Sequence, residues 1–188
     1  MASHVLTIER PTTGKGFWPA FFRRQVAANV RFWLGRINAH RAPAPLLHRE
    51  RDNIVKALSR ALQLEPAWEL ATDLLLTFHP YVERQGIWAD WERFLEIGLE
   101  ISQRQGNVTH EAALLDRLGE LKRYQGDLTA AVACHKDAHR LGNRIEDVTR
   151  CAYALTNLGH AYRLQRKYVE ASRVLKKALG GYQASQRG

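Results

Sequence analysis

The sequence of 188 residues contains little cysteine and no long apolar run. Its two cysteines, Cys134 and Cys151, cannot build a disulfide framework, so we expect a protein of a reducing compartment. No apolar run approaches the roughly 18 residues that a membrane-spanning helix requires. The N-terminal MASHVLTIE also lacks the basic start and apolar segment of a signal peptide. We therefore expect a soluble cytoplasmic protein with no transmembrane segment.

The basic charge of the chain is concentrated in its first third. The formal net charge is +9, and residues 1–60 contain eleven lysines and arginines against three acidic residues, a local net charge of +8. The other 17 basic and 16 acidic residues leave +1 for residues 61–188. Such an excess is typical of proteins that bind nucleic acid or anionic surfaces, and here it can concern only the first third.

No motif in the sequence indicates catalytic chemistry. Gly14-Lys15-Gly16 is similar to part of a phosphate-binding loop, but Glu9 stands where that loop needs its first glycine, and Gly16 stands where it needs serine or threonine. No serine or cysteine is paired with a plausible base. We expect residues 1–16 to form a flexible basic tail, and we expect neither an enzyme nor a cofactor.

A metal site is not expected either. His135 and His139 are spaced i, i+4 on one helix face, and Cys134 and Cys151 are close in sequence. On a helix, however, Cys134 points about 100° away from His135, whereas zinc needs converging donors. Since His135 occupies an apolar core position of the repeat described next, we interpret it as a core histidine with one hydrogen-bond partner.

The sequence repeats with a period of about 40 residues, which is typical of arrays of helical hairpins. Three sets of apolar residues coincide at that offset: Leu75, Leu115 and Leu155; Phe78, Leu118 and Leu158; and Trp88, Leu128 and Tyr168. The helical spacing within each unit predicts two helices joined by a short polar turn, and no segment alternates as a half-buried strand does. Gly86 and Gly106 are spaced more widely than Gly126 and Gly142, which suggests uneven turns. We therefore expect an all-α chain of about three helical hairpins.

The last repeat contains a glycine, Gly159, inside a predicted helix. Glycine costs about 1 kcal/mol there relative to alanine, and close packing against the second helix at Ala171 and Ala178 would offset that cost. Leu155, Leu158, Tyr162, Tyr168 and Leu175 are expected to fill the surrounding space. The pattern Leu155-x2-Leu158-Gly159-x2-Tyr162, followed by Tyr168-x2-Ala171-x3-Leu175-x2-Ala178, resembles a tetratricopeptide repeat.

The middle repeat matches this family pattern in part, and its small residues Gly119 and Ala131 correspond to Gly159 and Ala171. The resemblance implies a right-handed α-solenoid of tetratricopeptide-like hairpins in residues 65–181, followed by a tail at residues 182–188. Gly119, Gly159, Ala131 and Ala171 are then structural residues.

A second resemblance covers residues 45–179. Glu50-x-Asp52-Asn53-Ile54-x2-Ala57-Leu58, with an Arg-x-Gly-x-Trp turn at residues 84–88, resembles the start of the repeat arm of bacterial STAND-type (NB-ARC-like) regulators. In those multidomain ATPases such an arm follows a nucleotide-binding and winged-helix core. The resemblance implies a non-catalytic sensor or regulatory module that binds another protein.

Residues 17–64 precede the repeats and predict amphipathic helices. An apolar stripe with helical spacing consists of Trp18, Phe22, Val26, Val30, Trp33 and Ile37. Beside it lies a basic patch of Arg23, Arg24, Arg31 and Arg36. Two interpretations remain open: the helix is a first core helix, or its basic and aromatic residues bind nucleic acid or another anionic surface.

The tetratricopeptide resemblance also implies a ligand-binding surface, the concave face, which is lined by the first helix of each hairpin. Its non-packing positions here are Asp116, Arg117, Glu120, Arg123, Tyr153, Thr156, Asn157, His160 and Arg163. Asn157 matches an asparagine that hydrogen-bonds a peptide backbone in related repeats, because an amide both donates and accepts. Arg123 and Arg163 suit an acidic group of a protein or peptide ligand. The alternative is an ordinary solvated helix face.

The end of the array predicts an exposed apolar surface. Because GGYQASQRG is short and rich in glycine, we expect the last helix to end at Leu179 without a capping helix. Val174, Leu175 and Leu179 would then contribute to an apolar contact patch. Either further repeats or a second copy would cover it, and for the chain alone we expect a homo-oligomer formed through the C-terminal hairpin.

Overall fold

The computed structural model describes residues 20–39, 43–86, 88 and 90–185. In this part of the chain the helices are α1 (Ala20–Asn38), α2 (Ala44–Leu62), α3 (Trp68–Gln85), α4 (Trp91–Gln105), α5 (Val108–Tyr124), α6 (Leu128–Arg144), α7 (Val148–Leu164) and α8 (Tyr168–Ser185). A 3₁₀ turn at Glu65–Ala67 precedes α3, and the described residues contain no strand. None of these helices is both long enough and apolar enough to span a membrane. The all-α array of helical hairpins that the period predicts, and that the resemblance identifies as tetratricopeptide-like, is confirmed.

The chain divides within α3 into two compact units, Met1–Tyr81 and Val82–Gly188. In the first unit, α1 packs on α2 and on the 3₁₀ turn. Val26, Val30 and Trp33 of α1 are buried, so these three residues of the predicted stripe are core residues. The proposed tail at residues 1–16, with Gly14-Lys15-Gly16, and Trp18 lie outside the described residues.

The helices of the second unit follow one another at a regular interval. Helices α5, α6 and α7 each contain 17 residues, and each is joined to the next helix by a short turn of constant length. The side chains of Asn107, Asp127 and Asp147 accept a hydrogen bond from the backbone N–H three residues later, which caps these helices. Two such helix-turn units make up one period of the sequence repeat.

The turns recur at the same constant interval, which corrects the uneven spacing inferred from glycine. Left-handed backbone occurs at Gly86, Gly106, Gly126, Glu146 and Arg166, with φ between 57° and 85°. The later turns therefore use non-glycine residues in a conformation that favours glycine. Gly142, which the sequence suggested as a turn marker, lies inside α6, where an added Cβ would be 2.9 Å from the sulfur of Cys151.

The close helix approach predicted at Gly159 is confirmed. A Cβ atom at Gly159 would lie 2.5 Å from Cγ of Leu175, so the facing side chain is Leu175, one turn from Ala171 and Ala178. At the equivalent position of the preceding hairpin, a Cβ at Gly119 would lie 2.5 Å from Cε1 of His135. Around Gly159 the core contains Leu155, Leu158, Tyr162, Ala171 and Ala178, and Ala131 is buried in the preceding hairpin.

Two expectations about α8 are wrong. Tyr168 does not fill the core, since 62% of it is exposed. The helix does not end at Leu179 but continues through Gly180 and Gly181 to Ser185. A Cβ at Gly181 would lie 3.2 Å from Cβ of Ala152, so α8 packs against the start of α7 at the point where its sequence predicts a break.

Candidate functional site

A buried carboxylate, that of Glu120, joins α5 to α7. Arg117 donates to Glu120 over 2.9 Å and to the hydroxyl of Tyr153 over 2.6 Å. The Tyr153 hydroxyl and the Asn157 amide both donate to the other oxygen of Glu120. These four residues are called the Glu120 network below. Since α5 and α7 are the first helices of successive hairpins, the network connects neighbouring repeats.

The Glu120 network balances its own charges. Glu120 is 4% exposed, and its negative charge is compensated by the Arg117 guanidinium, which also lies over the Tyr153 ring at 5.3 Å. Burial, together with the neighbouring Glu120 carboxylate, raises the pKa of Tyr153 to about 12. The phenol therefore stays protonated at neutral pH and can donate to Glu120. A buried charge with several charge-assisted hydrogen bonds fixes side-chain geometry, and removal of one partner is costly.

A second buried polar pair joins α5 to α6. Nδ1 of His135 lies 3.0 Å from Oδ1 of Asp116, and both residues are almost fully buried. Burial raises the pKa of Asp116, and the hydrogen bond to His135 acts in the opposite direction. The interpretation of His135 as a core histidine with a hydrogen-bond partner is confirmed. It occupies the position that Leu175 holds in the last hairpin.

The four candidate metal ligands do not converge on one point, although the thiol of Cys151 lies 3.8 Å from the backbone carbonyl of His139. His135 contacts Asp116, whereas the thiol of Cys151 donates to Oδ1 of Asn143 over 3.5 Å. Cys134 is half-buried, and burial raises the pKa values of both thiols. Both cysteines are therefore thiols rather than thiolates at neutral pH.

The C-terminal ends of α5 and α7 carry basic side chains. His160 and Arg163 are exposed, and Arg123 is partly exposed, with its guanidinium 4.4 Å from the centre of the Tyr124 ring. Partial burial lowers the pKa of His160, and the positive charges of Arg123 and Arg163 lower it further. His160 is consequently neutral at pH 7 between two permanent cations. Arg123, His160 and Arg163 are called the basic cluster below.

Three of the predicted concave-face residues do not face solvent. Asp116, Glu120 and Asn157 are buried at 1%, 4% and 8% exposure. The resemblance implies that Asn157 binds a peptide backbone, but its amide nitrogen donates to Glu120 over 3.2 Å. Arg117, Tyr153 and Thr156 are partly exposed, and the Thr156 hydroxyl donates to the carbonyl of Ala152 in its own helix. The expectation of a solvated groove is therefore corrected for the three buried residues.

The N-terminal basic patch is found on α1, outside its buried stripe. Arg23, Arg24 and Arg31 are exposed, and Arg36 lies 5.6 Å from the centre of the Phe32 ring. Phe21 and Phe32 are 72% and 52% exposed. Neither phenylalanine belongs to the apolar stripe predicted from the sequence, which places the aromatic residues of this helix on a single face. The available signal was their separation by about three helical turns, which places both rings on one side of the helix.

Comparisons with known proteins agree with the repeat structure. No curated protein matches the chain. Among solved structures it is similar to BtubC (BKLC) from P. vanneervenii, with 16% identity and a TM-score of 0.45 over 87% of this chain and 92% of that chain. That likeness is too distant to support an argument about function. Residues 92–184 match the family model of the tetratricopeptide repeat, and this similarity to tetratricopeptide repeats covers all of the candidate concave-face residues.

Proposed function

We propose that residues 82–188 form a non-catalytic protein-interaction module that binds an acidic peptide segment of its partner at the basic cluster. The observation that carries the proposal is the arrangement of Arg123 and Arg163 about the neutral His160. Within the described residues, neither arginine forms an ion pair with a carboxylate. The match of residues 92–184 to tetratricopeptide repeats, which generally mediate protein–protein interaction, supports a protein ligand.

The Glu120 network supports this role by fixing the two helices that carry the basic cluster. Arg123 follows Glu120 by less than one turn on α5, and His160 follows Asn157 by less than one turn on α7. Because the Asn157 amide is held by Glu120, we assign it a positioning role rather than direct contact with a peptide. A ligand then meets cations whose helices are already fixed, which lowers the entropic cost of binding.

The proposal is tested with a fluorescent library of short peptides in which every member carries either two acidic residues or their amide counterparts. Fluorescence anisotropy should find binders among the acidic members, and Arg123→Gln/Arg163→Gln should weaken their binding at least tenfold. The control, Arg144→Gln/Arg173→Gln, removes the same charge from exposed positions of α6 and α8 and should change the affinity less than twofold. Equal losses in both variants, or equal binding of the amide peptides, would refute the proposal.

The finer proposal is that this module is the regulatory arm of a STAND-like system. It rests on the resemblance of Glu50-x-Asp52-Asn53-Ile54 and the residues after it. Ile54, Ala57 and Leu58 are buried in α2, so the apolar half of that motif is explained by packing alone. Affinity purification from the native host should recover an ATPase with a P-loop. Purifications that repeatedly recover other partners and no such ATPase would contradict it.

A second candidate function is supported by the outer face of α1. Phe21 and Phe32 are exposed on the same side of the helix, flanked by Arg24 and Arg31. Exposed aromatic rings beside arginines are suited to stacking with bases or to contact with an anionic surface. Binding of single-stranded DNA or anionic vesicles that falls steeply with salt and is lost in Phe21→Ala/Phe32→Ala would support this function. Affinities unchanged by that double substitution would exclude it.

A further inference from the structure

A cleft of about 330 Å³ lies among α6, α7 and α8. Its apolar lining includes Val148, Ala152 and Leu155 of α7, and the last two are buried core residues. His139 and Asn143 of α6 and Lys177 of α8 provide polar lining. The volume is at the lower end of the range for small-molecule sites, which typically combine apolar walls with a few polar groups.

The polar side of the cleft contains an ammonium group without a compensating carboxylate. Nζ of Lys177 lies 3.3 Å from Nε2 of His139, and the amide nitrogen of Asn143 lies 3.1 Å from the same atom. Burial lowers the pKa of His139, and the charge of Lys177 lowers it further, so the imidazole is neutral and offers one acceptor nitrogen. The Asn143 amide also donates to the backbone carbonyl of His139 over 3.0 Å. Among the described residues Lys177 forms no ion pair. The one acidic residue that lines the cleft, Glu146, is exposed and is not paired with Lys177.

Gly181 keeps the α8 side of the cleft open. A Cβ atom at this position would lie 3.2 Å from Cβ of Ala152 and 3.9 Å from Cγ1 of Val148. A larger side chain would therefore extend against the apolar lining. The neighbouring Gly180 lies in the same helix, but a Cβ there would meet no atom within 4 Å. The two adjacent glycines thus form a matched pair, of which only Gly181 borders the cleft.

We propose that this cleft is a binding site for a small monocarboxylate with an apolar body. The carboxylate pairs with Lys177, while the body contacts Val148, Ala152 and Leu155. A single cation matches a single negative charge, and Glu146 at the exposed side opposes a dianion such as phosphate by like-charge repulsion. The site is separate from the basic cluster and does not depend on the proposed function.

The test uses 2-naphthoate as the probe, with neutral 2-naphthamide as its isosteric control, in an NMR titration of the ¹⁵N-labelled full chain. Naphthoate should produce saturable shifts at residues 139–155 and 177–181, and naphthamide should bind at least tenfold more weakly. Lys177→Met should weaken naphthoate binding at least tenfold. Lys176→Met, at the neighbouring exposed position of α8 that does not line the cleft, should change it less than twofold.

A blocking substitution provides an independent readout. Gly181→Leu should abolish saturable binding of naphthoate, whereas Gly180→Leu should retain it, and circular dichroism melts establish that both variants are folded. If Gly181→Leu does not fold, the Lys177→Met and Lys176→Met pair decides the matter alone. Absence of saturable shifts at millimolar naphthoate, equal binding of naphthamide, or shifts centred on residues 160–163 would each overturn the proposal.

Discussion

Replacing single glycines of the second unit by alanine should change stability in opposite directions at positions that look alike in sequence. Gly119, Gly159 and Gly180 all lie inside helices, but only the first two face a side chain at close range. The added Cβ would lie 2.5 Å from His135 at Gly119 and 2.5 Å from Leu175 at Gly159. At Gly180 it would meet no atom within 4 Å, which makes this position the control.

The magnitudes follow from two opposing terms. Alanine gains about 1 kcal/mol over glycine in a helix interior, so Gly180→Ala should stabilise the protein by about 0.5–1 kcal/mol. Overpacking costs about 1–3 kcal/mol, and the partly exposed Leu175 can move aside, so Gly159→Ala should destabilise by about 1 kcal/mol net. His135 is buried and held by Asp116. Since moving its ring also strains its hydrogen bond to the buried carboxyl group of Asp116, Gly119→Ala should cost about 2–4 kcal/mol.

Urea denaturation followed by circular dichroism measures these differences, with the midpoint and slope fitted for each variant. The expected order of stability is Gly180→Ala, parent, Gly159→Ala and Gly119→Ala, from the most to the least stable. Gly159→Ala with a midpoint at or above that of the parent would show that α7 and α8 do not meet closely at this residue, and the packing argument would then fail.

Three further predictions concern buried polar groups and turns. His135→Leu alone should destabilise the protein by about 3–5 kcal/mol because it leaves Asp116 buried without its partner. Asp116→Thr/His135→Leu, which copies the residues of the last hairpin, should be near neutral or stabilising. A double-mutant cycle measured in urea would contradict this if the two effects were additive. Arg166→Gly should stabilise by about 0.5–1 kcal/mol because Arg166 has a φ of 61°, and a lower urea midpoint would contradict it. The pKa of Tyr153 is raised to about 12 in the folded state, against about 10 in the unfolded state. Between these values the unfolded state loses the proton that the folded state keeps. The free energy of unfolding should therefore fall as the pH rises from about 10 to 12. Tyr153→Phe should lose less stability over that range, and equal losses would contradict the assignment.

Self-association through α8 stays a prediction. Leu179 is 58% exposed, as expected, and Val169 is 82% exposed, but Val174 packs partly into the core and Leu175 faces Gly159. Exposed basic residues on α8 oppose the docking of two identical faces by like-charge repulsion. Light scattering at high micromolar concentration measures the outcome directly: a dimer supports self-association, and a monomer excludes it.

The period and the helix packing could be predicted from the sequence because both depend on local patterns. Apolar residues that recur at helical spacing specify helices. Gly159 inside one helix, with the small residues Ala171 and Ala178 on the next, indicates a close approach. The turn positions could not be predicted from glycine alone. Glu146 and Arg166 occupy left-handed backbone, so the glycine pattern stops marking the turns after Gly126.

The site was predicted in part, because the sequence places residues on a helix but does not show what they face. Asp116, Glu120 and Asn157 fall on the expected helices, yet each is buried by a partner on a neighbouring helix. Which polar residues meet depends on the crossing of α5 with α6 and α7, a tertiary property. The extension of α8 past Leu179 has a similar cause, since packing of Gly181 against Ala152 outweighs the low helix propensity of two glycines.

An NMR titration of the ¹⁵N-labelled chain with the tightest acidic peptide from the library tests peptide binding at the basic cluster directly. Saturable shifts are expected at residues 117–124 and 153–163, with Arg123, His160 and Arg163 among the most affected. These shifts should disappear when the acidic residues of the peptide are replaced by their amides. Shifts confined to α1 and α2, or shifts that persist with the amide peptide, would contradict peptide binding at the basic cluster.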